Sequence, residues 1–230
     1  MSEKILIIDT STEACSVALA YNDCVEWQFD ITPQSHTKMV LPMVDSLLKQ
    51  ADLTAKDLDA IAWGRGPGSF TGVRIGTGIM QGLALGANKP VIALSTLAAM
   101  AQQAIEEHNA THIMAAIDAR MGEVYWGIYQ NINGLAVLVD EEVVMSPENL
   151  KQGSFSAQQY VGVGSAWKVY PQLSELANIT VLDDILYPHA KAMTKLAKDA
   201  WTSDKAVDVE DAAPVYVRDT VTWQKLPGRE

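Results

Sequence analysis

Two stretches of this sequence follow one plan. ILIIDTSTEACSVALAY (Ile5–Tyr21) and IMAAIDARMGEVYWGIYQ (Ile113–Gln130) each run from an apolar strand into an aspartate, Asp9 or Asp118. Each then passes through a small polar turn into an alternating strand. A strand–turn–strand unit that recurs far along the chain implies two related lobes rather than one continuous sheet. Around the first copy, strands are predicted at Lys4–Asp9, Cys15–Tyr21 and Val25–Ile31. A helix over Ser35–Ala51 follows, with Pro42 in its first turn or at a kink. Then come the strand LDAIAWG, a helix over Ser69–Gly86, the strand PVIAL and a helix over Ser95–His108 that Ser95 caps. The order is β-β-β-α-β-α-β-α. The second lobe is less regular and ends in an extended AAPVYVRD. Few residues read as linker, so residues 1–106 and 107–230 are expected to form two closely packed lobes.

The chain has 230 residues, 48% of them hydrophobic, as in a water-soluble globular protein. Its longest apolar runs, Val91–Leu94 and Ile113–Ile117, are too short to span a bilayer. MSEKILIID has no signal-peptide plan, so a cytoplasmic location and no membrane partner are expected. Two cysteines exclude a disulfide framework. Cys15 reads as a core residue, and Cys24 as a turn residue with no activating charge. The net charge is −11, and the basic residues are scattered apart from Lys225 and Arg229. Grip on nucleic acid by this chain alone is therefore not expected.

GRGPGSFTGVRIG (Gly64–Gly76) poses a question about phosphate binding. It lacks the Walker A spacing and its lysine, and it fails GxGxxG, because Ser69 or Thr71 falls in the third glycine slot. The free N–H groups of the following helix could still hold an anion. The simpler reading has Gly66 and Gly68 shaping a turn while Ser69 caps the helix. That helix is apolar nearly all round. Phe70, Val73, Thr77, Met80 and Ala84 share one side, and Gly72, Ile75, Gly76, Ile79 and Leu83 the other. Arg74 and Gln81 form a narrow polar strip. The preceding helix spreads Met39, Val40, Leu41, Met43, Val44, Leu47 and Leu48 over an equally wide arc. Beyond what one sheet covers, Met39, Met43, Phe70, Val73, Thr77 and Met80 are expected to form a patch. Either a partner or the second lobe covers it.

ILIIDTSTEACSVAL, SHTKMVLPMV, GRGPGSFTGVRIG, GLALG, AAIDARMGEVYW and PVYVRD together resemble the bacterial TsaB family, also called YeaZ. The match covers most of the first lobe and the start of the second. The resemblance implies an α/β, actin-like and Hsp70-like fold of two ribonuclease H-like lobes, the second reduced, and a role in tRNA modification. It implies a non-catalytic partner of TsaD, the enzyme that transfers threonylcarbamoyl from its adenylate to N6 of the adenosine 3′ of the anticodon. It also implies an assembled complex with the ATPase TsaE, a homodimer when the chain is alone, and contact with tRNA only through the complex. The docking residues expected on this basis are Met39, Val40, Met43, Leu47, Phe70, Val73, Arg74, Thr77 and Met80.

In the catalytic relatives an H-x-x-x-H metal motif opens the helix after the PVIAL-type strand. Here those slots hold Thr96 and Met100, so no metal site is expected there. HNATH (His108–His112) has the spacing, but Asn109 should end the helix between the histidines and break the geometry. No nearby carboxylate is foreseen for it. His36 reads as a cap or surface residue, and His189 has no evident partner. The superfamily places nucleotide phosphates beside a turn such as DTST (Asp9–Thr12), with Asp118 opposite and VGVGSAW (Val161–Trp167) as a faint adenosine loop. Asp9, Thr10, Ser11 and Asp118 are thus candidates for vestigial contact with ATP or ADP, with no cofactor required. The alternative function is an actin-like ATPase or kinase acting in its own right. A peptidase is disfavoured by Thr96, Met100 and the lack of a G-x-S-x-G elbow.

Overall fold

In the computed structural model, residues 3–150, 158–176 and 178–218 are described. Lys225 and Arg229 lie outside them, as does Asp219 at the end of AAPVYVRD. The first half forms β1 (Ile5–Asp9), β2 (Ala14–Tyr21), β3 (Cys24–Ile31), α1 (His36–Gln50), β4 (Ala60–Gly66), α2 (Phe70–Ala87), β5 (Val91–Ser95) and α3 (Thr96–His108). This is the order expected from the sequence. The strands make a sheet in the order β3-β2-β1-β4-β5. β2 is antiparallel to β1, whereas β4 is parallel to β1 and to β5.

β1 is buried along its whole length because both faces are covered. Leu6 and Ile8 pack with Val40, Met43, Val44 and Leu47 of α1 and Met80 and Ala84 of α2. Ile5 and Ile7 face the other way, toward Ala99 of α3 and a late helix, α5 (Ala190–Thr202). α5 thus comes from the second half of the sequence but covers the first sheet. His189 caps it: Nδ1 accepts the Lys191 N–H at 3.1 Å, and the ring stacks on Phe29 and meets the edge of Trp27. Burial and Lys191 lower its pKa to about 4, as an accepting Nδ1 requires. His189 therefore has partners that its surroundings in the sequence do not reveal.

The remaining strands are β6 (His112–Arg120), β7 (Glu123–Ile132), β8 (Leu135–Leu138), β9 (Val143–Met145), β10 (Tyr160–Val163) and β11 (Ile179–Val181), with the short α4 (Ala166–Val169). They form a second sheet in the order β11-β10-β6-β7-β8, with β9 on β7. α3 covers it through Leu97, Met100, Ala101, Ala104 and Ile105. Pro42 sits inside α1 rather than in its first turn. No described helix is long and apolar enough to cross a membrane.

Candidate functional site

The glycine loop turns the chain from β4 into α2. The Gly66–Pro67 peptide is cis, Ser69 Oγ accepts the Gly72 N–H at 3.4 Å, and the Ser69 N–H reaches Ser11 O at 2.7 Å. A Cβ on Gly68 or Gly72 would fall under 3.0 Å from the carbonyls of Ser11 or Thr10, and one on Gly76 would lie 2.7 Å from Thr10 Oγ1. These glycines let α2 lie directly on the DTST turn. Thr10 fastens the contact by donating its hydroxyl proton to Gly72 O at 2.8 Å. The loop is a turn and a cap, as the simpler sequence reading has it.

The same packing orients α2 and corrects the expected docking patch. Val73 and Met80 point into the core, and Thr77 is buried with its hydroxyl bonded to Val73 O. Val40, Met43 and Leu47 of α1 are buried as well, and Met39 is half-buried. None of the buried six is open to a partner. A helical wheel shows two apolar sides but not which of them faces the sheet. Here the buried arc combines parts of both sides, Gly72, Val73, Gly76, Thr77, Met80 and Ala84, while Phe70 stays outside. Of the expected residues, Phe70 (59% exposed) and Arg74 remain on the outside. Further along α2 lie Gly78, Gly82 and Gly86, where a Cβ would meet nothing within 4 Å among the described residues, and Leu85 (62% exposed). α2 therefore carries two glycine rows, one under the DTST turn and one facing solvent.

A cleft of about 720 Å³ opens at the N-terminal end of α2. Ser11–Glu13, residues before and at the start of α1, Gly68–Gly72, Asp118–Met121 and Arg218 line it. Of the four nucleotide candidates, Ser11 and Asp118 reach the cleft, whereas Asp9 and Thr10 are turned inward. Asp9 is buried, and its carboxylate accepts the Ser11 N–H at 3.1 Å and the Ser11 hydroxyl at 2.9 Å. Gly64 presses so closely on it that a Cβ there would overlap the carboxylate. Desolvation raises its pKa to about 7 despite these bonds. Asp118 accepts from Arg120 and from the Tyr170 hydroxyl, both at 2.9 Å. Arg120 also binds Glu13 at 2.9 Å and so ties the β6–β7 turn to the β1–β2 turn. In VGVGSAW, the space beside Gly162 holds the Trp167 indole, and Gly164 takes a φ of +105° against Ala116 O. Both glycines serve packing.

Thr96 and Met100, in the slots of the metal motif, are fully buried, Met100 among apolar neighbours. Asn109 ends α3 in the left-handed region and His112 opens β6, so HNATH is split as expected. His108 does have carboxylates nearby, contrary to the sequence reading: its Nε2 lies 2.8 Å from Asp184, and Glu107 is adjacent. All three residues are exposed. His36 is buried, with Nε2 at 3.2 Å from Ala14 O, rather than a surface residue. Nothing local in the sequence singles out Tyr216. Its hydroxyl accepts the Arg74 Nε proton at 2.9 Å. PVYVRD was visible as an extended stretch, but its place across α2 is a long-range fact.

A family model described as TsaD, tRNA N6-adenosine threonylcarbamoyltransferase, matches residues 30–223. The chain is 46% identical to the tRNA threonylcarbamoyladenosine biosynthesis protein TsaB of Escherichia coli K12, over 99% of this chain and 100% of that protein. It is 42% identical to the TsaB of Haemophilus influenzae, over 98% of each. The solved structure of YeaZ from Pseudomonas aeruginosa superposes with a TM-score of 0.88 at 42% identity, over 93% of this chain and 99% of that one. The chain belongs to the TsaB (YeaZ) family.

Proposed function

We propose that this chain serves tRNA threonylcarbamoyladenosine biosynthesis as a non-catalytic subunit, and that the outer face of α2 docks and steadies a TsaD-type enzyme. The observation that carries the reading is the solvent-facing row Gly78, Gly82 and Gly86 on α2, which also carries the exposed Phe70 and Leu85. Each glycine inside a helix costs roughly 1 kcal/mol relative to alanine. Among the described residues, nothing fills the space they leave. A partner helix that approaches the backbone closely would use it. The same face, offered to a second copy, makes a homodimer when TsaD is lacking. A TsaE-type ATPase joins the assembled complex, tRNA is reached only through it, and the location is cytoplasmic.

Support for a non-catalytic role comes from three places. Apolar burial occupies the metal-motif slot at Met100, Asp9 is engaged in its own turn, and Arg120 neutralises Asp118. No cofactor is needed for docking, and weak contact with ATP or ADP falls to Ser11 and the backbone at the start of α2. Light scattering of the protein mixed with TsaD from the same source tests the proposal. A defined complex is expected, and it should be lost on Gly82→Trp. A monomer that ignores TsaD would refute docking, and sizeable ATP turnover by the pure monomer would favour a catalyst instead.

A further inference from the structure

Four described arginines lie along the seam between α2, the C-terminal segment and the second sheet, and three of them already face a carboxylate. Arg65 lies 4.0 Å from Glu142, Arg120 lies 2.9 Å from both Asp118 and Glu13, and Arg218 lies 2.5 Å from Glu123. Arg74 differs. Its guanidinium carbon lies 3.5 Å from the Phe70 ring centre and 5.6 Å from that of Tyr216, and Nε donates to the Tyr216 hydroxyl. Its two terminal nitrogens have no hydrogen-bond partner among the described residues.

Tyr216 is brought there by main-chain and side-chain ties. The Val215 N–H donates to Arg65 O at 2.8 Å, Gln81 holds Ala212 O at 3.3 Å, and Arg218 holds Ala119 O at 3.1 Å. The segment thus straps α2 to the β6–β7 turn and fixes Arg74 along one edge. Two aromatic rings hold the cation, so much of its side-chain entropy is lost before any partner arrives. What stays open is the flat fork of donors that matches a carboxylate.

We infer that Phe70, Arg74 and Tyr216 form the anchor of the docking face and that Arg74 receives an aspartate or glutamate side chain of the TsaD-type subunit. This rests on the docking reading above. A nucleic-acid site would need several free cations to neutralise successive phosphates. Here the neighbouring arginines are spent on acids of this chain, in a molecule with 28 acidic and 17 basic residues. A single preset arginine beside an apolar helix face matches instead the arginine and tyrosine anchors of protein interfaces.

The test compares affinity for TsaD of the full-length wild type, Arg74→Gln, Arg74→Lys and Tyr216→Phe, at low and high salt. Arg74→Gln should weaken binding at least tenfold at low salt and flatten its salt dependence. Arg74→Lys should fall between, because it keeps the charge and loses the fork, and Tyr216→Phe should weaken binding a few-fold. Thermal melts should show all variants folded. If the wild type binds TsaD and Arg74→Gln binds equally well, the anchor is refuted while docking stands. If the wild type does not bind, docking falls and the anchor with it. Loss of direct tRNA affinity in Arg74→Gln, with TsaD binding intact, would assign the fork to RNA and overturn the proposal.

Discussion

Replacing glycine by alanine in the two rows of α2 should shift stability in opposite directions. At Gly78 and Gly82 an added methyl meets no atom within 4 Å, and both positions lie inside the helix. The helix-propensity gain, about 1 kcal/mol each, is therefore unopposed. The double variant should gain about 2 kcal/mol, which for a chain of this size raises Tm by roughly 4–8 °C. At Gly72 the methyl would fall under 3.0 Å from Thr10 O, a backbone atom held by its own strand and turn. Overpacking of this kind costs about 1–3 kcal/mol, and the shift also strains the Thr10–Gly72 hydrogen bond. Gly72→Ala should accordingly lose stability despite its propensity gain. Urea melts at two protein concentrations would separate the monomer's response from that of any dimer. Loss of stability in Gly78→Ala/Gly82→Ala at both concentrations, or an unchanged Gly72→Ala, would refute this orientation of α2.

The buried Asp9 and the half-buried His189 give opposing pH dependences. Asp9, raised from 3.8 to about 7, holds its proton more tightly when folded, so its contribution is fully present below about pH 4 and falls as pH rises toward 7. His189, lowered from 6.5 to about 4, contributes fully above about pH 6.5 and less as pH falls toward 4. Asp9→Asn should leave stability rising with pH between about 4 and 6.5, and His189→Asn should leave it falling between about 4 and 7. Urea melts across that range check both, and a wild-type profile in Asp9→Asn would contradict the burial argument. Glutamate substitutions should separate core from surface: Val73→Glu unfolds the chain by burying a charge, whereas Met39→Glu stays folded by circular dichroism. A folded Val73→Glu would move that side chain to the surface.

The strands and helices of the first half were legible because their local signals agree with their packing. ILIID is apolar on both faces and is covered on both, and Ser69 and Ser95 cap the helices they precede. The direction of α2 was not legible, since its apolar residues surround the axis and only the sheet decides which arc turns inward. Residue size gave no guide, because Gly72 and Gly76 turn inward with Val73 and Met80, while Phe70 and Leu85 stay outside with Gly78 and Gly82. Other misses share one cause. His36 with Ala14, His189 with Phe29, His108 with Asp184 and Arg74 with Tyr216 are pairs that only the tertiary fold brings together. The inward turn of Asp9 was half-visible, because an aspartate two residues before a serine favours a local turn.

The most direct measurement is light scattering of the purified protein with and without TsaD from the same source, repeated with Gly82→Trp and with Gly72→Ala. Docking through the outer face of α2 requires a defined complex for the wild type. It also requires a folded Gly82→Trp that no longer joins the complex, and a less stable Gly72→Ala that still does. A wild type that stays alone in the mixture, or a Gly82→Trp that binds as well as the wild type, would contradict it.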